Sequence, residues 1–292
     1  MCLYVLAILS LLLGSSSLYE AIETRTLRLL LYDEGLIFVQ QTSLQAISWR
    51  QVQAVWHQVI DESSPTDTTP STRHIYTVSC TDGTKMIIGK TYQLEQMERI
   101  GLLIEKATAR YLFLPALNTY QMGQPVLFGP LMVNREGLSH RSQMLLWSEV
   151  RCIKRWYGTI VIKKQGKWVA WASVNLAAVP NVEVFKRLVQ HVIAEAARQL
   201  FPAILNRYQM GQPVVFGSLT VTREGLSHRS QRLPWTRIKR RSILANEISE
   251  SRLVIREPGK RFAWASVNLD ALQVEVFWML VDHMRGVSLS GV

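Results

Sequence analysis

The polar and apolar positions divide the chain into a short leader and a pattern that then recurs. No side chain in residues 1–19 is charged, and residues 3–13 (LYVLAILSLLL) are almost wholly apolar. At about 1.5 Å per residue, such a helix only just reaches across a bilayer. Arg25 and Arg28 follow it, as the basic flank on the cytoplasmic side of a membrane anchor would. A cleavable signal peptide is the competing expectation: Ser15 and Ser17 suit a small-residue cleavage site, but no positive n-region precedes the apolar run. A start cut from a longer helix or helical hairpin is a third. The anchor is preferred.

Beyond the leader, strand-like alternation gives way to helical spacing. Residues 26–31 and 35–41 predict a hairpin across Asp33, Glu34 and Gly35, and a further strand runs to Ile60 behind Trp49, Val52 and Val55. Residues 61–73 (DESSPTDTTPSTR) hold no hydrophobic side chain and predict a surface loop. A hairpin follows over 74–80 and 85–88. Residues 93–113 then turn helical, with Met97, Ile100, Leu103 and Ile104 on one face.

The same order returns twice. Residues 120–147 and 208–235 lie 88 positions apart and agree at 22 of 28 aligned positions, which marks a duplicated structural unit. In the second unit the strands fall at 126–128, 131–133, 138–142, 153–157, 159–164 and 167–173. Asn181 is placed as N-cap, and Phe185, Leu188, Val189, Val192, Ile193 and Ala196 form one helix face. The third unit repeats Trp235 and Ile238, strands at 251–257 and 261–266, and a last helix with Phe277, Leu280, Val281 and Met284. AWASVNL occurs at 170–176 and at 263–269. The gap before that segment changes length among the three copies, as a tolerated surface connection would. The expected organisation is a leader over 1–22 and units over 23–113, 114–202 and 203–288.

A hairpin turn ending in Gly-Leu, a Trp followed three residues on by Val or Ile, further hairpins and a closing amphipathic helix resemble the bacterial pleckstrin-homology-like (PH-like) domain. The resemblance rests on Gly137, Leu138, Trp147, Val150 and Phe185, on their partners Gly225, Leu226, Trp235, Ile238 and Phe277, and more loosely on Gly35, Leu36, Trp49 and Val52. It implies an α+β fold of three tandem units, each a bent antiparallel sheet or small barrel capped by a C-terminal helix. The chain looks most like membrane-anchored bacterial proteins of uncharacterised role that carry such domains. In the wider family, lipid-phosphate binding depends on basic residues in and after the first hairpin turn; here Arg135, Arg141, Arg223 and Arg229 occupy that region, and Asp33 and Glu34 replace them in the first unit.

Charge sharpens the picture. Residues 20–112 carry 9 basic and 11 acidic side chains, residues 113–202 carry 11 and 4, and residues 203–292 carry 13 and 7. The whole excess lies in the last two units and points to an anionic surface. The runs Arg151, Lys154, Arg155 and Arg237, Lys239, Arg240, Arg241 follow each repeated Trp. With the four turn arginines they make up the expected contact surface for anionic lipid headgroups.

Catalytic chemistry finds no foothold. His140 and His228 stand beside Ser in SHRS, but strand neighbours point to opposite faces, so both are expected at surface strand positions. The six histidines are not spaced as metal ligands, Cys2, Cys80 and Cys152 form no CxxC pair, and no phosphate-binding glycine motif occurs. No cofactor is expected. Trp168 with Trp171, and Phe262 with Trp264, are expected as core pairs on one strand face. A non-enzymatic, membrane-anchored surface-binding or scaffolding protein with cytoplasmic domains is therefore the leading expectation. The alternatives are a protein-interaction module and, behind it, nucleic-acid binding from charge alone.

Overall fold

Short antiparallel strands with inward Val, Leu, Ile and Phe recur along the chain and alternate with long helices. In the computed structural model, residues 28–40, 43–62, 72–89, 96–238, 243–245, 252–257, 259 and 263–284 are described. The leader and most of the 61–73 loop therefore lie outside the described residues, within which no helix is long and apolar enough to cross a membrane. The chain divides into two compact units, residues 1–114 and 115–292.

In the first unit, β1 (Arg28–Leu31), β2 (Gly35–Gln40) and β3 (Ser43–Ser48) form one antiparallel sheet. A single helical turn, Trp49–Gln51, leads to a second sheet of β4 (Val52–Asp61), β5 (Thr72–Cys80) and β6 (Lys85–Ile88). The helix α1 (Met97–Gln121) begins there, and Met97 and Ile104 join Trp49, Tyr76, Val78 and Ile88 in its core.

The second unit contains both near-identical copies. In the first copy, β7 (Val126–Phe128), β8 (Leu131–Val133), β9 (Gly137–His140) and β10 (Gln143–Leu146) form a four-stranded meander. The turn Trp147–Glu149 then opens a three-stranded sheet of β11 (Val150–Trp156), β12 (Thr159–Lys164) and β13 (Ala170–Asn175), followed by helix α2 (Val182–Gln209). The other copy repeats four strands, β14 (Val214–Phe216), β15 (Leu219–Val221), β16 (Gly225–His228) and β17 (Gln231–Pro234). Three more follow, β18 (Ile243–Ala245), β19 (Arg252–Arg256) and β20 (Ala263–Asn268), and then helix α3 (Ala271–Met284). In each copy an edge-on phenylalanine pair ties the first sheet to the helix: Phe128 to Phe185 at 5.3 Å and Phe216 to Phe277 at 5.5 Å between ring centres. Both helix phenylalanines are fully buried, a contribution of roughly 1.5–3 kcal/mol each.

The structure departs from the sequence expectations in three ways. Strands β3, β10 and β17 were not expected, because only Ile47, Leu145 and Leu233 of their side chains are buried and no alternation betrays them. Helices α1 and α2 run on past residues 113 and 196, through Pro115 and Pro202. A continuing apolar face explains the extension of α2: Val184 to Ile193 pack in their own copy, whereas Ala197, Phe201, Ile204 and Leu205 join the core of the next. One helix thus serves two sheets. Finally, Asn181 stands at the N-cap with left-handed backbone, φ +55°, and its side chain makes no capping bond; its carbonyl accepts from Phe185 N instead.

Gly137 marks a tight backbone approach in the first copy, because a Cβ there would sit 2.2 Å from the Leu145 carbonyl oxygen. Gly137→Ala is expected to lower stability by about 1–3 kcal/mol through forced separation of β9 and β10, measurable by chemical denaturation. Asp270 caps α3, accepting from Gln273 N at 2.7 Å. Burial raises its pKa, against backbone bonds that lower it, so ionisation costs the folded state more than the unfolded chain. Asp270→Asn keeps a good capping side chain and is expected to raise the melting temperature at pH ~7. That gain should vanish as pH falls through the raised value to about 4, the ordinary Asp range.

Candidate functional site

The repeated Trp holds a clasp at one end of each sheet pair. Trp147 Nε1 donates to the Asn134 carbonyl at 2.9 Å, Trp235 Nε1 to that of Thr222 at 2.9 Å, and Trp49 Nε1 to that of Tyr32 at 3.0 Å. Each accepting residue lies three positions before the Gly of its turn. Beside this clasp, α1 and α2 end in the same way. Gln124 N bonds to Thr119 O and Gly123 N to Tyr120 O, with Gly123 at φ +79°; Gln212, Gly211, Arg207 and Tyr208 repeat the pattern. This is a Schellman cap, and it accounts for the repeated YQMGQ segment.

Arg135 and Arg223, expected at an anionic surface, belong to these caps. Arg135 donates to the Gln121 carbonyl at 2.6 Å, and Arg223 donates to that of Gln209. A cation at a helix C-terminus is favoured by the exposed carbonyls and the helix dipole. Neither arginine is therefore displayed simply for a ligand.

The other end of the meander collects different residues. β9 and β10 turn through Arg141 and Ser142, and Arg141 takes φ +55°. His140, at the foot of this turn, donates from Nδ1 to the Pro130 carbonyl at 3.1 Å and meets the ring of Trp171 edge-on at 6.3 Å. Trp171 reaches it because of a bulge. Ile162 pairs with Ala172 and Lys163 with Ala170, which leaves Trp171 as the extra residue, and such a bulge re-aims a side chain. The contact brings the Arg141 tip and the loop preceding Trp171 to one edge. That loop holds Lys167, Trp168 and Val169, all exposed, Trp168 by 95% and Val169 by 79%.

The third repeat rebuilds this edge. His228 Nδ1 donates to the Ser218 carbonyl at 3.2 Å and meets Trp264 at 6.2 Å; Arg229 takes φ +55°, and the bulge falls at Trp264. The histidines are thus half-buried braces rather than free surface positions. The core expectation for Trp168 is overturned, because β13 starts at Ala170 instead of Lys167 and leaves Trp168 in the loop. Phe262, expected to pair with Trp264, lies outside the described residues, while Trp171 and Trp264 are half-buried.

The other predicted cations are dispersed. Arg151 is the extra residue of a bulge between Val150 and Cys152, Lys154 is half-buried in β11, and Arg155 is exposed at its end. Arg237 pairs with Glu257 at 3.4 Å. Lys239, Arg240 and Arg241 lie outside the described residues. Lys164 is engaged with Glu149 at 2.7 Å, a bond that holds the Glu149 carboxyl below its usual range.

One cluster brings together histidines and a carboxylate that lie far apart in the sequence. In the first unit, Val59 pairs with His74 and His57 with Tyr76 across β4 and β5. His57 Nε2 then stands 3.0 Å from His74 Nδ1, His57 Nδ1 stands 3.5 Å from Glu105, and Tyr76 stacks on His57 at 4.1 Å. The 17-residue separation hid this contact, which strand pairing alone creates. Among the described residues no group of three or more His, Cys, Asp or Glu is arranged to hold a metal ion.

Comparison with known proteins adds one match. The Family of unknown function (DUF6585) matches residues 1–198 and, a second time, residues 191–286. No curated protein matches the chain. The two matches overlap at residues 191–198, inside the helix that packs on both copies. The chain belongs to this family of unknown function, DUF6585, and carries its pattern twice.

Proposed function

We propose that the protein is a non-enzymatic, membrane-anchored surface-binding module built from tandem PH-like units, with the edge around His140 as its membrane contact. The observation that carries this reading is Trp168, 95% exposed on a loop with Val169 and Lys167 and joined through the His140–Trp171 contact to Arg141. An exposed indole beside a branched aliphatic side chain gains by leaving bulk water. At a bilayer interface the ring enters the headgroup layer, while flanking cations meet anionic lipid.

The PH-like assignment draws support from strand order. Four antiparallel strands, a turn, three antiparallel strands and a closing helix occur in both near-identical copies, the layout implied by the resemblance. Residues 1–22 supply the anchor in this reading and place the domains in the cytoplasm. Duplication then presents two similar edges, Arg141 and Arg229, to one membrane, and a weak single contact becomes useful through avidity.

Vesicle flotation of the full chain tests the reading. The anchor contributes equally to neutral and anionic vesicles, so the diagnostic quantity is the preference for phosphatidylserine-containing over pure phosphatidylcholine vesicles at low salt. The combined variant Arg141→Glu, Lys167→Glu is expected to reduce that preference about thirtyfold or more, from roughly 1 kcal/mol per cation lost. Trp168→Ser is expected to weaken binding to both vesicle types. Equal binding of the unmodified protein to both would sink the lipid reading.

A further inference from the structure

A cavity of about 360 Å³ opens at the opposite end of the first copy, beneath the Trp clasp. Tyr120 and Gln121 reach it from the end of α1, Arg135 and Trp147 from the turns, and Val192, Glu195, Ala196 and Gln199 from one face of α2. Its size suits a small metabolite rather than a macromolecular segment.

Its lining is chemically divided. Val192, Ala196 and the ring of Trp147 form an apolar wall, and the Trp147 N–H is already committed to Asn134 O. Arg135 and Glu195 bring opposite charges to the same space, yet Arg135 donates to the Gln121 carbonyl rather than to Glu195. Tyr120 lines the same space and feels both charges. Burial and the Glu195 charge raise its pKa, while Arg135 opposes them, so it stays protonated at neutral pH as both donor and acceptor.

From this cavity we infer a binding site for a free α-amino acid with an apolar side chain, its ammonium on Glu195, its carboxylate beside Arg135 and its hydrocarbon against Trp147, Val192 and Ala196. Charge count selects carboxylate over phosphate. A single guanidinium, with one N–H already given to a helix end, balances one negative charge; a dianion would leave an excess beside Glu195. A purely apolar ligand would cover the half-buried Glu195 carboxylate without giving it a partner and would make no use of Arg135. A zwitterion satisfies both.

The site is independent of the membrane reading and uses none of the residues at the His140 edge. Calorimetry and ligand-observed NMR on the full chain, with L-leucine and L-phenylalanine as probes, test it. Saturable binding is expected with Kd at or below about 1 mM, and N-acetyl-L-leucine and isoamylamine, each lacking one charge, should bind roughly tenfold more weakly or worse. Glu195→Gln should weaken the zwitterion by a similar factor and leave N-acetyl-L-leucine unaffected. Ala196→Leu, which fills the apolar wall, should abolish binding, with an unchanged circular-dichroism melt showing that both variants fold. Absence of saturable binding by both probes, equal binding of the acetylated form, or unchanged binding by folded Ala196→Leu would each overturn the site.

Discussion

One hydrogen bond per repeat, from an indole N–H to a turn carbonyl, fixes how the two sheets of each unit meet. The tryptophan sits where the first sheet ends and the second begins, so its ring fills the corner while its N–H ties back to the β-turn two strands earlier. Its own backbone N–H bonds to the Glu of that turn in all three repeats, to Glu34, Glu136 and Glu224. The turn must in turn lie against the last strand of the first sheet, and there a side chain is forbidden: a Cβ at Gly35, Gly137 or Gly225 would stand 2.2–2.3 Å from a carbonyl oxygen of that strand. The Glu-Gly turn and the Trp are therefore one device, and neither position is free to vary without the other.

The second constraint is the shared helix. A helix that only capped its own sheets would need a stop soon after Ile193, where its first apolar stripe ends. Instead α2 carries a second stripe, Ala197, Phe201, Ile204 and Leu205, into the core of the following copy. Its end is then fixed by Gly211 and by Arg223, which meets the carbonyls that a helix terminus leaves unpaired. This explains why both copies fall in one compact unit. It also explains why the most repeated stretch of the sequence starts inside a helix and ends at the clasp: the helix end, its arginine cap, the turn and the tryptophan form a continuous set of contacts.

Much of the fold was legible because burial imposes a period. Strands β7, β8 and β12 and the first half of α2 alternate or recur as their cores require. Strands β3, β10 and β17 escaped reading because each buries one side chain and its pairing is set by the neighbouring hairpin and not by its own pattern. The ends of the helices escaped because the prolines, which usually stop a helix, lie within α1 and α2 while the stop itself is a glycine farther on. The candidate site was harder still. Arg135 and Arg141 look equivalent in sequence, six residues apart on the same hairpin, yet one faces a helix end and the other a loop edge. The core position expected for Trp168 failed because a bulge at Trp171 delays the strand, and a bulge leaves no compositional trace. His57, His74 and Glu105 meet only through strand register and the docking of α1, neither of which one-dimensional spacing contains.

Backbone conformation gives Arg141 and Arg229 a weight that their charge alone does not. Both hold φ near +55° at the first position of a two-residue hairpin loop. Glycine, asparagine or aspartate meets that demand with little strain, whereas a long unbranched side chain costs about 1 kcal/mol or more there. The side chains of both arginines are exposed. Arg135 and Arg223 show the contrast: their guanidinium groups cap helix ends, which benefits the fold itself. For Arg141 and Arg229 the cost falls on the fold, and the proposed membrane contact would supply the offsetting benefit. Such a strained cation, held in place by a histidine brace and set near an exposed tryptophan in the first copy, is what separates this edge from the solvated charge scattered over the rest of the sheets.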